Sequence, residues 1–213
     1  MGTDNLFWKR KNRSLKRKSK NRGKPPKSIL IVCEGEKTEP NYFRSFKLSS
    51  AVVRVEGCGA NTKSLVKKAV DIRKKARIDE EIFDQAWCVF DKDSFSLQNF
   101  NAAFDVAERN NIRVAYSNEA FELWYLLHFH YYDSAISRNA YKKKLSQLLN
   151  HPYKKNSRSM YKELLDKQEA ALKNAARLIK FYNPVDPGRN NPSTTVHQLV
   201  EELNKYAPNS RNR

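Results

Sequence analysis

SILIVCE (residues 28–34) is a continuous apolar run that ends on a glutamate. A run of this length without polar alternation is typical of a strand buried on both faces. QAWCVFDKD (85–93) has the same character and ends on two aspartates. Strands of this kind occur in parallel sheets that are covered by helices, so the two segments indicate an α/β fold.

Strands and helices alternate from residue 28 to residue 130. This order predicts an open, mostly parallel sheet of four strands, flanked by helices. The other two strands are predicted at 51–59 and 112–118, and the helices at 39–49, 61–78, 97–111 and 119–130. Thr38 is predicted as the N-cap of the first helix, with Pro40 in its first turn.

Only helical patterns follow from about residue 131. They are predicted at 139–150, over the unusually long segment 160–182, and at 194–206, where Ser193 or Thr194 would be the cap. The chain is thus divided into a disordered basic tail (1–27), an α/β domain (28–130) and a helical C-terminal region (131–213) that packs on it.

The charge of the chain favours a polyanionic partner, nucleic acid first. There are 41 Lys and Arg against 23 Asp and Glu, a formal net charge of +18. Residues 1–27 hold eleven of the basic residues and one acid, Asp4, which leaves 30 against 22 elsewhere. A tail that serves only solubility or targeting is the alternative. The tail residues predicted to contact phosphates are Lys16, Arg17, Lys18, Lys20 and Arg22.

The location expected from the sequence is cytoplasmic. No apolar stretch approaches the roughly 20 residues that cross a bilayer, so no membrane partner is expected. Cys33, Cys58 and Cys88 form no CxxC pair, and they are expected to be free thiols rather than disulfide or zinc ligands.

Carboxylates follow two of the predicted strands, at the point where each strand ends. Glu34 ends the first strand, and Asp91 and Asp93 end the third. Ligands of open parallel sheets bind beyond the carboxyl ends of the strands. Converging carboxylates repel one another and need a cation, for which Mg²⁺ or Mn²⁺ is expected; such an ion would position a phosphodiester and activate water. The alternative is that these acids are solvated loop residues or helix caps.

Polar residues near the fourth strand are further candidates for this site. Ser117 and Asn118 end that strand, and Glu122 follows Glu119 by three positions on one face of the next helix. Helix capping explains the same residues without chemistry. His197 is a candidate supporting residue, whereas His128 is expected to be a packed core histidine.

A basic loop, HPYKKNSR (151–158), joins an aromatic residue to three cations. The aromatic residue suits base stacking, and Lys154, Lys155 and Arg158 suit phosphate contact. Lys155 is the best candidate for stabilising negative charge in a transition state. An exposed basic loop without function is the alternative.

Four motifs together resemble the RloB family, over about residues 28–203. They are IVCEGEKTEPNYF (31–43), VFDKDSF (89–95), SNEAFELWYLLHF (117–129) and NPSTTVHQLVEEL (191–203). Glu34-Gly35 and Asp91-x-Asp93 also resemble the TOPRIM fold, which topoisomerases, bacterial primases and OLD-type nucleases share.

This resemblance implies a metal-dependent nuclease of a bacterial anti-phage (abortive infection) system, with an AAA or ABC-type ATPase as an expected partner. In TOPRIM nucleases the glutamate is a metal ligand and a candidate general base, and the aspartates hold Mg²⁺; these roles fall on Glu34, Asp91 and Asp93. Glu39 lies five positions after Glu34, whereas the second acid of OLD-type motifs lies nearer four, at Thr38 here. A metal role for Glu39 is therefore left open.

Three functions remain after this comparison: a nuclease acting on DNA or RNA, a non-catalytic nucleic-acid-binding or sensor module on a TOPRIM scaffold, and nucleotidyl or strand-transfer chemistry. A topoisomerase would need DNA-gating domains, for which 213 residues leave no room. The sequence is compatible with a homo-oligomer but does not require one.

Overall fold

The computed structural model of the protein describes residues 26–59, 62–92 and 96–208. The predictions for the basic tail up to residue 25, with its phosphate-binding lysines and arginines, and for Asp93 lie outside the described residues.

Five strands form one sheet in the order β2-β1-β3-β4-β5. They are β1 (Lys27–Cys33), β2 (Ala51–Gly57), β3 (Gln85–Asp91), β4 (Arg113–Asn118) and β5 (Ser193–Thr194). β1 pairs in parallel with β2 and with β3, and β3 pairs in parallel with β4. The predicted α/β class with a mostly parallel sheet is therefore confirmed.

The prediction of four strands, with none after residue 131, was wrong. β5 runs antiparallel to β4, with Ser193 opposite Asn118 and Thr194 opposite Ser117. Two polar residues show no hydrophobic periodicity, and only this long-range pairing makes them a strand. For the same reason they do not form the predicted cap: Thr195 is the N-cap residue of the last helix, although the hydroxyl of Thr194 accepts the Val196 N–H at 3.2 Å.

Helices cover both faces of the sheet. They are α1 (Thr38–Arg44), α2 (Thr62–Ile78), α3 (Leu97–Arg109), α4 (Glu122–Leu127), α5 (Arg138–Leu149), α6 (Met160–Leu164), α7 (Gln168–Phe181) and α8 (Val196–Asn204). Alternate residues of β1 point to opposite faces. Leu30 and Val32 pack with α2 and α3, whereas Ile29 and Ile31 pack with the remaining helices.

Three helix predictions were wrong in extent. The first helix ends at Arg44, not at residue 49, and the segment 160–182 is broken by a 3₁₀ turn over Leu165–Lys167. The break puts Leu164 and Gln168 inside the protein while the three residues of the turn are exposed. The fourth strand ends at Asn118, as predicted, but a bend and a turn over residues 119–121 follow it, so α4 begins at Glu122 rather than at 119.

Thr38 is the first residue of α1 rather than its N-cap. Its hydroxyl donates a hydrogen bond to the carbonyl of Lys155 at 2.6 Å, and the N-cap residue Lys37 makes no side-chain capping bond. A tertiary contact has therefore replaced the predicted capping bond, and it ties α1 to the basic loop 151–158.

Cys33, Cys58 and Cys88 are free thiols, as predicted, and Cys33 and Cys88 are buried. Within the described part of the chain, every helix is too short or too polar to cross a bilayer.

Candidate active site

Glu34 and Asp91 meet where the adjacent strands β1 and β3 end. The N–H of Glu34 donates to the carbonyl of Val89 at 2.9 Å, and the N–H of Asp91 donates to Glu34 Oε2 at 3.1 Å. These two bonds place the glutamate between the two strand ends. The structure thus brings together two of the three carboxylates that the strand ends predicted.

Glu39 joins this pair from the first turn of α1. Its side chain is buried and lies directly over Gly35. A β-carbon at Gly35 would come within 2.1 Å of Glu39 Oε2, so a larger residue here would displace the Glu39 carboxylate. The role that the sequence left open for Glu39 now has a position beside Glu34.

Glu122, at the start of α4, brings a fourth carboxylate. It is 7% exposed, and its Oε1 accepts a hydrogen bond from the hydroxyl of Tyr153 at 3.1 Å. Tyr153 is itself 3% exposed, so the stacking role predicted for this aromatic residue was wrong. The ring packs in the core, edge-on to Tyr125, and its hydroxyl reaches the buried carboxylate.

Two of the four carboxylates, Asp91 and Glu39, have a raised pKa. Burial, and then the charges of Glu39, Glu122 and Glu34, raise the pKa of Asp91 well above its usual range, and Arg138 opposes this rise. Burial and the charge of Glu122 also raise the pKa of Glu39. Asp91 and Glu39 are thus disfavoured as anions unless positive charge is supplied.

Two cations from the helical region face this acidic cluster. Arg138, at the start of α5, places Nη2 3.4 Å from Asp91 Oδ2. The ammonium of Lys155 favours ionised Glu39, while the Lys155 side chain is exposed. Lys154 and Arg158 are exposed in the same loop, where phosphate contact was predicted.

The other predicted supporting residues lie around β5 and α8. The hydroxyls of Ser117 and Thr194 are 3.1 Å apart, and the Asn118 side chain donates to the carbonyl of Asn190 at 2.8 Å. Burial lowers the pKa of His197, and the charge of Glu201 and a hydrogen bond with the Thr194 backbone oppose this shift. None of the contacts that the described residues make with His197 involves the four carboxylates.

His128 is a core histidine, as predicted. It is 2% exposed, and its Nδ1 donates to the carbonyl of Trp124 at 2.9 Å. Burial lowers its pKa to about 4. The imidazole is therefore neutral at physiological pH and is not available to the acidic cluster.

Within residues 26–59, 62–92 and 96–208, no group of three or more His, Cys, Asp or Glu side chains is arranged to hold a metal ion. Asp91 is paired with Arg138, Glu122 accepts the Tyr153 hydroxyl, and Asp93 lies outside these ranges. The chemistry of the site nevertheless fits a hard cation, because its donors are carboxylate oxygens, the ligands that Mg²⁺ prefers.

Sequence reasoning missed Arg138 and the role of Tyr153. Arg138 is 47 positions from Asp91, and Tyr153 is 31 positions from Glu122. Neither residue belongs to a motif, and the loop that carries Tyr153 pointed to nucleic acid instead. The signal for both contacts lies in tertiary structure alone.

Comparisons with known proteins identify a family for the chain. No curated protein and no solved structure matches the chain. A family model described as RloB-like protein matches residues 29–203, which contain all four carboxylates, Arg138 and Tyr153. The chain therefore belongs to the family of RloB-like proteins.

Proposed function

We propose that the protein is a metal-dependent nuclease that hydrolyses phosphodiester bonds of DNA or RNA in a bacterial anti-phage defence system. The observation that carries this proposal is the convergence of Glu34, Glu39, Asp91 and Glu122 at the carboxyl edge of the sheet, where burial and repulsion raise the pKa of Asp91. Strongly perturbed carboxylates of this kind are typical of functional sites.

A hard divalent cation accounts for these carboxylates. Glu34 and Asp91 would hold Mg²⁺ or Mn²⁺, with Glu39, Glu122 and Asp93 as the further candidate ligands. When bound, the ion would polarise a phosphoryl oxygen and lower the pKa of a water molecule, which supplies the nucleophile at neutral pH. The position of Glu34-Gly35 after β1 and of Asp91 at the end of β3 supports a TOPRIM class for the fold.

Other residues of the site position the carboxylates and supply positive charge. The Asp91 N–H fixes the Glu34 carboxylate, and Gly35 makes room for Glu39. Arg138 and Lys155 provide positive charge at the rim of the cluster, where it would offset the charge that develops on the phosphate. The proposal includes nucleic acid and an AAA or ABC-type ATPase as partners in the cytoplasm.

A cleavage assay tests the proposal. Labelled DNA and RNA are incubated with the full chain in Mg²⁺, in Mn²⁺ and in EDTA. Glu34→Gln and Asp91→Asn should each lower the cleavage rate by about 100-fold or more. Glu36→Gln is the matched control, because Glu36 is an exposed glutamate two positions from Glu34. Cleavage that survives both site substitutions would exclude this site as the source of activity.

A non-catalytic nucleic-acid-binding or sensor module is the second candidate. It is favoured by the pairing of Asp91 with Arg138 and by the lack of a ready-made metal group in the described ranges. An Arg138 side chain that neutralises Asp91 would make a metal ion unnecessary. Nucleic-acid binding without cleavage under any of the metals would support this candidate over the nuclease.

A further inference from the structure

A groove of about 630 Å³ runs along α5 on the helical side of the molecule. Its wall is one continuous face of the helix, since its residues recur at helical spacing: Asn139, Lys142, Lys143, Ser146, Gln147 and Asn150. The turn that follows α5 closes the other side with His151. None of the residues that line this groove is acidic.

All the Lys, Arg, Asp and Glu residues of the segment that forms the groove are basic. Residues 138–158 contain seven Lys and Arg and no Asp or Glu. Lys142 and Lys143 are exposed, and neither ammonium has an ion-pair partner among the described residues. The nearby acid Glu163 is already paired, because its Oε2 lies 2.8 Å from His151 Nε2. The groove therefore presents positive charge that the protein itself does not neutralise.

Arg138 and Tyr153 link the elements that form the groove to the carboxylate site. α5 begins at Arg138, whose guanidinium contacts Asp91. In the turn after α5, the N–H of Tyr153 donates to Ser146 Oγ in the groove wall at 2.9 Å, and its hydroxyl donates to Glu122. One residue thus fixes the groove and the acidic cluster relative to each other.

We propose that this groove binds the sugar–phosphate backbone of a nucleic acid next to the phosphate that lies at the carboxylate site. This proposal deepens the proposed function, and it rests on that function for the direction in which the nucleic-acid strand runs. The twelve residues of α5 span about 18 Å, at about 1.5 Å per residue. A duplex carries one phosphate per about 3.4 Å on each strand, so the groove is long enough for several phosphates.

Lys142 and Lys143 carry this binding, and salt dependence measures it. In the full chain carrying Glu34→Gln, affinity is measured by fluorescence anisotropy against salt, without divalent ions, for duplex DNA, single-stranded DNA and single-stranded RNA. Lys142→Gln with Lys143→Gln should lower the slope of log K against log salt by about 1.8 for duplex DNA and by about 1.4 for single strands. If the ionic contribution vanishes near 1 M salt, these slopes correspond to about 60-fold and 25-fold weaker binding at 0.1 M.

Lys74→Gln with Lys75→Gln is the matched control. These two exposed lysines lie on α2, which packs on the opposite face of the sheet, and they remove the same charge. The control should keep the parental slope. An unchanged slope in the groove variant, or an equal drop in the control, would overturn the proposal. An acidic protein as the true occupant of the groove would give the first of these results.

The binding assay and the cleavage assay can reject the groove and the nuclease independently. A lower slope in the groove variant, with no cleavage by the wild-type protein, would keep the groove and reject the nuclease. Metal-dependent cleavage that Glu34→Gln abolishes, with an unchanged slope in the groove variant, would keep the nuclease and reject the groove.

Discussion

Replacing Tyr153 with Phe removes one hydroxyl and leaves the buried ring in place. That hydroxyl is the side-chain donor to Glu122 within the described ranges, at 3.1 Å, and the carboxylate is 7% exposed. A hydrogen bond to a charged group contributes about 1.5–3 kcal/mol, and a buried acceptor that loses its donor costs a similar amount. We therefore expect Tyr153→Phe to lower the free energy of unfolding by about 2 kcal/mol.

Tyr206→Phe is the matched control for this prediction. Its hydroxyl also donates to a buried glutamate at 3.1 Å, but Glu202 keeps Gln85 and Lys205 as donors, each at 2.7 Å. The control should lose about 0.5–1 kcal/mol, the net value of an ordinary hydrogen bond.

Urea unfolding of the two variants and the wild type, followed by circular dichroism, measures the difference. A loss of about 2 kcal/mol corresponds to a fall in Tm of about 4–8 °C for a chain of this size. If Tyr153→Phe costs no more than Tyr206→Phe, Tyr153 is not the principal donor to Glu122. The packing assigned to the carboxylate site would then be wrong.

Three further predictions concern the acidic cluster and the core. Asp91→Asn should raise stability in EDTA by about 1 kcal/mol, because burial and the neighbouring carboxylates disfavour the charge of Asp91. Mg²⁺ should raise the Tm of the wild type more than that of the variant, and an equal rise in both would contradict a metal site. Gly35→Ala should lower stability by about 1–3 kcal/mol in chemical denaturation, because it displaces the Glu39 carboxylate. The loss should be much smaller in a Glu39→Ala background, and an equal loss in both backgrounds would refute the clash. Burial lowers the pKa of His128 from 6.5 to about 4, so as pH falls the unfolded chain binds the proton before the folded chain does. The contribution of His128 to stability is therefore fully present above pH 6.5 and falls by about 3 kcal/mol as the pH drops to 4. His128→Phe should show a flatter profile of stability against pH, measured by denaturation at each pH.

The strands that lie in the middle of the sheet were predictable because burial on both faces leaves an unbroken apolar run. Residues 28–34 and 85–93 therefore located β1 and β3 within two residues at each end. Ser193 and Thr194 have no such property, because their strand exists only through pairing with β4. The break at Leu165–Lys167 was equally hidden, since the segment contains good helix formers and neither Gly nor Pro.

The residues of the candidate site likewise include some that were predictable from the sequence and some that were not. Glu34 and Asp91 could be placed together because the ends of parallel strands share an edge, a rule that needs only the order of the elements. Glu39 required the backbone space above Gly35, and Arg138 required the way α5 packs near β3. These positions follow from tertiary packing, for which one sequence carries no local pattern.

β5 completes the sheet late in the synthesis of the protein. β4 ends at Asn118, but its outer partner Ser193 is synthesised 75 residues later (118 to 193). The chain then crosses back to the start of β2, where the carbonyl of Tyr206 accepts the N–H of Ser49 at 2.8 Å. A nascent chain on the ribosome therefore presents an open edge of β4, a template for pairing with other chains, until Ser193 and Thr194 have emerged. Chains that stall before β5 should accordingly be substrates for chaperones and proteases.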